Sequence, residues 1–166
     1  KSSFALDNNA TSSDRMMTAM GQGETLVSPY HMALITSAVA NGGRLMEPYL
    51  VEEVTNYSGT IVEETDPESY GQLMTSEEAA QLKAYMQNVT DYGTGSVFAG
   101  SGYSVAGKTG TAEYSDGDSS KNHSWFVGFT NVDNPELVIS VIIEEADGNV
   151  RAVDVAKQIL DSYYYN

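Results

Sequence analysis

Hydrophobic positions along the chain follow two rhythms, and the change near residue 100 divides it. Up to residue 24 there is neither rhythm: KSSFALDNNATSSDR is polar, the stretch ends in the glycine-bearing GQGE, and it reads as an irregular lead-in. In LVSPYHMALITSAVANGG, residues 26–43, Met32, Ile35 and Val39 recur at helical spacing. Ser28 suits an N-cap, Pro29 the first helical position, and Asn41-Gly42-Gly43 a stop. Residues 49–64, YLVEEVTNYSGTIVEE, place two β-prone runs around Asn56-Tyr57-Ser58-Gly59 and read as a hairpin. Thr75-Ser76-Glu77-Glu78 then spells a capping box, predicting a helix to about Val89 with Leu82, Tyr85, Met86 and Val89 on one face.

Beyond the glycine-rich loop DYGTGSVFAGSG the rhythm shortens. Residues 104–114, 123–130 and 137–145 read as three strands, and LVISVIIEE is apolar enough to predict burial on both faces. The links SDGDSSKN and VDNPE are short, which favours antiparallel neighbours. A last helix over about 150–163 groups Val150, Val153, Ala156, Leu160 and Tyr163, and Tyr163, Tyr164 and Tyr165 read as a docking tail. The expected fold class is α+β, an antiparallel sheet with helices, within one portion of a single domain spanning 1–166. Its parts are an irregular lead-in (1–24), a helical part with a hairpin (25–100), and a three-stranded sheet with a closing helix (101–166).

Composition narrows the chemistry. With 41% hydrophobic and 19% charged residues the chain is globular in composition, and its 166 residues suffice for a core. Eight basic against 23 acidic residues give a net charge of −15, which argues against nucleic acid as a partner. Without cysteine there are neither disulfides nor thiolate metal sites. His31 and His123 are too isolated for a metal site, and Asp116-Gly117-Asp118 lacks the remaining ligands of a calcium loop, so no metal or organic cofactor is expected. No apolar run reaches the length of a membrane span.

The candidate chemistry lies in AGKTGTAEYS, residues 106–115. Residues 102–109, GYSVAGKT, match the phosphate-loop pattern, which would make the chain a nucleotide binder. That pattern needs a strand before it and a helix after it; VFAGS is a poor strand and GTAEYSDGDSS has no helical periodicity. On a strand, the residues suit acyl transfer instead. Lys108 supplies charge for a carboxylate and for tuning a nucleophile's proton, and the Thr109 hydroxyl a hydrogen bond. Gly110 leaves room for close backbone approach, and the Thr111 N–H can serve an oxyanion hole. A peptide could lie beside such a strand as an added strand. Trp125 and Phe126 read as core or cleft wall.

Lys-Thr-Gly belongs to the signature of penicillin-binding proteins and related β-lactamases. GQGETLVSPYHMALITSAVANGG (21–43), DYGTG (91–95), YSVAGKTGTAE (103–113) and SWFVGFT (124–130) follow in that order. Together they resemble the C-terminal part of a class B penicillin-binding protein transpeptidase domain, over nearly the whole chain from Gly21. His31 departs from the glutamine usual there. The resemblance implies D,D-transpeptidation in cell-wall synthesis, at the outer face of the bacterial cytoplasmic membrane. A serine would attack the D-Ala-D-Ala end of a peptidoglycan stem peptide, and β-lactams would trap that serine. Lys108, Thr109, Gly110 and Thr111 would be the catalytic and substrate-binding residues. A β-lactam sensor domain and a serine β-lactamase share this chemistry and remain open.

The family's S-x-x-K is absent: no serine has a lysine three residues on. Ser120-Lys121-Asn122 spells the second motif, S-x-N, but after Lys-Thr-Gly rather than before it, and is read as chance. The nucleophile is therefore expected upstream of Lys1, the chain is expected to be a fragment without activity alone, and its partners to be the upstream half of the same domain or a second copy.

Overall fold

A computed structural model describes residues 1–114, 122–146 and 148–165. The Asp116-Gly117-Asp118 turn and the first two residues of Ser120-Lys121-Asn122 lie outside the described residues. The elements run α1 (Ser12–Ala19), α2 (Pro29–Ala40), β1 (Arg44–Met46), β2 (Glu53–Thr55), β3 (Ile61–Glu64), β4 (Ser69–Gln72), α3 (Ser76–Asp91), a 3-10 turn (Ser96–Phe98), β5 (Val105–Glu113), β6 (Asn122–Thr130), β7 (Val138–Ala146) and α4 (Ala152–Tyr165).

The α+β reading holds. Strands β5, β6 and β7 form one antiparallel sheet in that order, with Lys108 opposite Val127, Thr109 opposite Phe126 and Gly110 opposite Trp125. Alternation along the strands splits the core in two. Val105 and Phe126 face α4, meeting Ala152, Val153, Ala156 and Leu160. Ala106 and Phe129 face the other way, toward Val39 of α2 and Met86 of α3. The fully buried Phe126 ring lies over Gly107 and Gly128. A β-carbon on Gly107 would sit 2.5 Å from Phe126 Cζ, so that strand position must be glycine for the ring to lie flat on the sheet.

Several expectations need correction. Residues 12–19 are helical, not irregular: Thr11 and Asp14 form a reciprocal capping box that satisfies the first turn, although no residue of the helix is buried and Met16 and Met17 are exposed. β7 is half-buried over Ile139–Ile143, not buried on both faces, because it pairs with β6 alone among the described strands. In α3 the inward stripe runs through Ala79, Lys83, Met86 and Thr90, leaving Leu82 and Tyr85 exposed. The Lys83 stem follows that stripe while its ammonium donates to the Val132 carbonyl at 3.1 Å and sits 5.7 Å over the Phe129 ring. In α4 Val153, Ala156 and Leu160 are buried as expected, but Val150 precedes the helix and both it and Tyr163 are exposed.

The terminal tyrosines do dock the last helix. Tyr164 stacks on Tyr103 at 4.4 Å and its hydroxyl lies 2.7 Å from Thr130 Oγ1. The Tyr165 hydroxyl accepts the Gly102 N–H at 2.7 Å. The hairpin of β2 and β3 also forms, its turn held by Asn56 Oδ1 accepting from the Ser58 and Thr60 amides at 3.0 Å. Outside it, β1 and β4 pair as a short second ribbon that the sequence pattern did not reveal. Apolar side chains remain uncovered across the molecule, among them Leu50, Tyr57, Val62, Tyr30 and Ile159.

Candidate functional site

Lys108, Thr109, Gly110 and Thr111 stand in the middle of β5, which runs on without interruption to Glu113. Strand, not helix, follows Thr109 directly, so the phosphate-loop geometry is excluded. Among the described strands β5 is an edge strand, with β6 on one side only. The start of its other side is covered by α3, where Thr90 Oγ1 donates to the Val105 carbonyl. The Thr111 carbonyl points to the same side, since the Gln22 carboxamide reaches it at 3.2 Å. In an antiparallel strand the N–H and C=O of one residue point the same way and alternate from residue to residue. The Thr111 N–H and the backbone of Thr109 and Glu113 therefore face the free edge as well.

The side chains divide between the two faces. Lys108 is exposed, on the face of Gly110 and Trp125, and its ammonium donates to the Thr109 carbonyl at 2.5 Å. Thr109 projects from the other face, where its hydroxyl lies 2.5 Å from Thr94 Oγ1. Thr94 belongs to the DYGTG loop that leaves α3, so this loop and β5 jointly set the Thr109 rotamer. Gly110 tolerates little: a β-carbon there would meet Trp125 Cβ at 3.3 Å. Trp125 is half-buried beside Gly110 and forms part of the wall, while Phe126 belongs wholly to the core.

Thr94 and Gln22 are the two contributors that the sequence reading left without a role. Both stood in quoted stretches, DYGTG and GQGE, but a contact across 89 residues has no local signal. The histidines take no part. His31 is exposed at the start of α2. His123 stacks on Tyr114 at 4.5 Å and its Nδ1 accepts the Glu145 N–H at 3.0 Å. No group of His, Asp and Glu among the described residues could hold a metal ion.

A positive charge, a held hydroxyl and outward backbone donors on one edge strand make a place for an extended, carboxylate-bearing chain. A family model described as the penicillin binding protein transpeptidase domain matches residues 2–161. The chain belongs to the penicillin-binding protein transpeptidase family. It is similar to the peptidoglycan D,D-transpeptidase MrdA of Haemophilus influenzae, 32% identical over 92% of this chain and 26% of that protein. It is also similar to the stage V sporulation protein D of Bacillus subtilis, 32% identical over 83% of this chain and 22% of the relative.

Solved structures agree. Penicillin-binding protein A from M. tuberculosis, as its imipenem acyl-enzyme complex, superposes with a TM-score of 0.76 at 25% identity, over 89% of this chain and 33% of that one. The D,D-transpeptidase domain of a peptidoglycan glycosyltransferase from Eggerthella lenta gives 0.69 at 33% identity, over 87% and 34%. The class B penicillin-binding protein resemblance thus holds, for part of a transpeptidase domain. The chain spans about a quarter of the length of these curated relatives and about a third of the solved chains.

Proposed function

We propose that this chain is the C-terminal part of a peptidoglycan D,D-transpeptidase, and that Lys108, Thr109, Gly110 and Thr111 form one wall of its active site. The observation that carries this reading is the free edge of β5, with the Thr111 backbone facing outward and Lys108 beside it. A stem peptide ending in D-Ala-D-Ala lies along that edge. Lys108 attracts its terminal carboxylate and assists proton transfer, and the Thr109 and Thr111 hydroxyls hold the carboxylate or its β-lactam counterpart. Gly110 keeps the strand surface low where the peptide passes. The Thr111 N–H donates to the oxyanion as the serine Oγ bonds to the carbonyl carbon. The terminal D-Ala then leaves, and an amine from a neighbouring stem takes the acyl group.

The serine and its lysine belong, on this reading, to a preceding part of a longer protein acting at the outer face of the cytoplasmic membrane. Two facts support that: the sequence has no S-x-x-K, and it matches only about a quarter of its relatives. No described helix is long and apolar enough to cross a membrane. The chain alone should form no acyl-enzyme.

The test joins the chain to its serine-bearing part and follows acylation by a β-lactam. Lys108→Ala should slow acylation by about 100-fold or more, the usual worth of a positioned proton-transfer group. A rate within threefold of the parent would remove Lys108 from the mechanism. A β-lactam mass adduct on the isolated chain would show that the nucleophile lies within these residues.

A further inference from the structure

Gln22 is delivered to the edge of β5 by a defined piece of backbone. Helix α1 ends in a two-bond glycine cap: the Gly21 N–H donates to the Thr18 carbonyl at 3.1 Å and the Gln22 N–H to the Met17 carbonyl at 2.9 Å. Gly21 has φ 85 and Gly23 φ 81, left-handed values that residues with a β-carbon avoid. The chain therefore reverses on either side of Gln22 and presents its side chain, half-buried, to the strand. The carboxamide donates to the Thr111 carbonyl.

That carbonyl is the acceptor an incoming strand needs. A chain pairing with β5 takes both the N–H and the C=O of Thr111 into one hydrogen-bonded pair. The Gln22 carboxamide has the chemistry of a peptide group, and it already fills the acceptor half of that pair. We infer that Gln22 is a built-in surrogate for the ligand's amide, closing the edge when the site is empty and displaced when a ligand supplies its own N–H. This rests on the proposed use of the β5 edge for peptide binding. A ligand that displaces Gln22 without bringing an amide N–H to Thr111 leaves the carbonyl with a partner lost and none gained. A site that must open first binds more weakly by the fraction of time it is open.

The experiment uses NMR on the 15N-labelled chain joined to its preceding, serine-bearing part, in the parent form and as Gln22→Ala and Gln22→Met. Methionine keeps the length and cannot donate. The first reading needs no ligand: the Gln22 side-chain amide should exchange with solvent more slowly than those of exposed glutamines, and equal rates would overturn the inference. The second is titration with an N-acylated peptide ending in D-Ala-D-Ala, read at the Thr109, Thr111 and Glu113 amides. Both variants should bind roughly fivefold more tightly, the worth of one net hydrogen bond removed from the competition. Unchanged or weaker binding in the variants, with clear binding by the parent, overturns the surrogate role and leaves the edge as a peptide site. Tighter binding in Gln22→Ala alone makes the obstacle bulk rather than the hydrogen bond, and also overturns it. Failure of all three forms to respond removes the peptide reading of the edge, and the surrogate with it.

Discussion

In the sheet of β5, β6 and β7 a helix packs against each face, whereas β1 to β4 pair only with one another, two by two. The contrast continues in the side chains. Phe126, Phe129 and Leu160 are fully buried on or against the large sheet. Every residue of β2 and β3 is exposed, with Val62 at 62% and Ile61 at 50%. Charge follows the same division. Residues 45–72 carry seven carboxylates and no lysine or arginine, and Glu53 stands directly opposite Glu64. Around α4 the carboxylates are paired: Arg151 with Asp154, Lys157 with Asp161. One region is a scaffold that stabilises itself by burial and holds the candidate site rigid. The other depends on its turn residues and local ribbon bonds, and a site that must hold geometry belongs on the first.

The hardest test of this division compares two apolar deletions. Phe126→Ala opens a cavity over Gly107 and Gly128, beneath α4, and should cost about 3–5 kcal/mol. Val62→Ala removes a side chain already in water and should stay within about 0.5 kcal/mol. Denaturant midpoints of the two variants check this. A Val62→Ala loss comparable to that of Phe126→Ala would mean that the hairpin is packed, and the division would fail.

How far the sequence revealed the molecule follows the same line. The large sheet and α4 were legible because their signals are local: alternating or continuous apolar runs, short polar links, and a three-residue motif placed in one strand. The β2–β3 hairpin was legible from two β-prone runs flanking Asn56-Tyr57-Ser58-Gly59. What escaped depended on partners far along the chain. β1 and β4 are three and four residues long and pair across the whole hairpin between them. Helix α1 has no buried residue, so only its capping box announced it. In α3 the periodicity was right and the face was rotated: Met86 packs inward as expected, but Leu82 and Tyr85 are exposed while Lys83 and Thr90 point inward to bond Val132 and Val105. In the site, Lys108, Thr109, Gly110 and Thr111 were found as a string. Their division between edge and faces, and the contributions of Thr94 and Gln22, needed the strand order and the fold.

A smaller effect sharpens the electrostatic half of the comparison. Asp161 accepts from Lys157 and from the Tyr103 hydroxyl at 2.7 Å. These bonds, the lysine's first, hold its carboxyl below the usual value, while burial and Asp161 push the Tyr103 phenol up. A carboxyl lowered by folding adds stability that is complete above its unfolded pKa, about 3.9, and is lost as the pH falls through the folded value. Asp161→Asn should therefore be less stable than the parent at pH 7, and the two should converge as the pH falls below the lowered folded value. Chemical denaturation at a series of pH values measures the gap. A gap that stays constant with pH would mean that the shape of Asp161, not its charge, holds α4 to Tyr103.

The smallest expected change reverses the penalty in the other region. Glu53 and Glu64 are a directly opposed pair of like charges, and Glu63 and Glu52 stand beside them without a cation on either strand. Glu64→Lys turns repulsion into attraction and should stabilise the ribbon by about 0.2–1 kcal/mol. Because the ribbon has no buried residue, that gain should appear as slower amide exchange in residues 52–65 and leave global melting unmoved. It should also shrink in about 1 M salt, where screening acts within about 3 Å. Equal protection gained in β6 would show that the ribbon and the sheet open together, and the two regions would then be one cooperative unit.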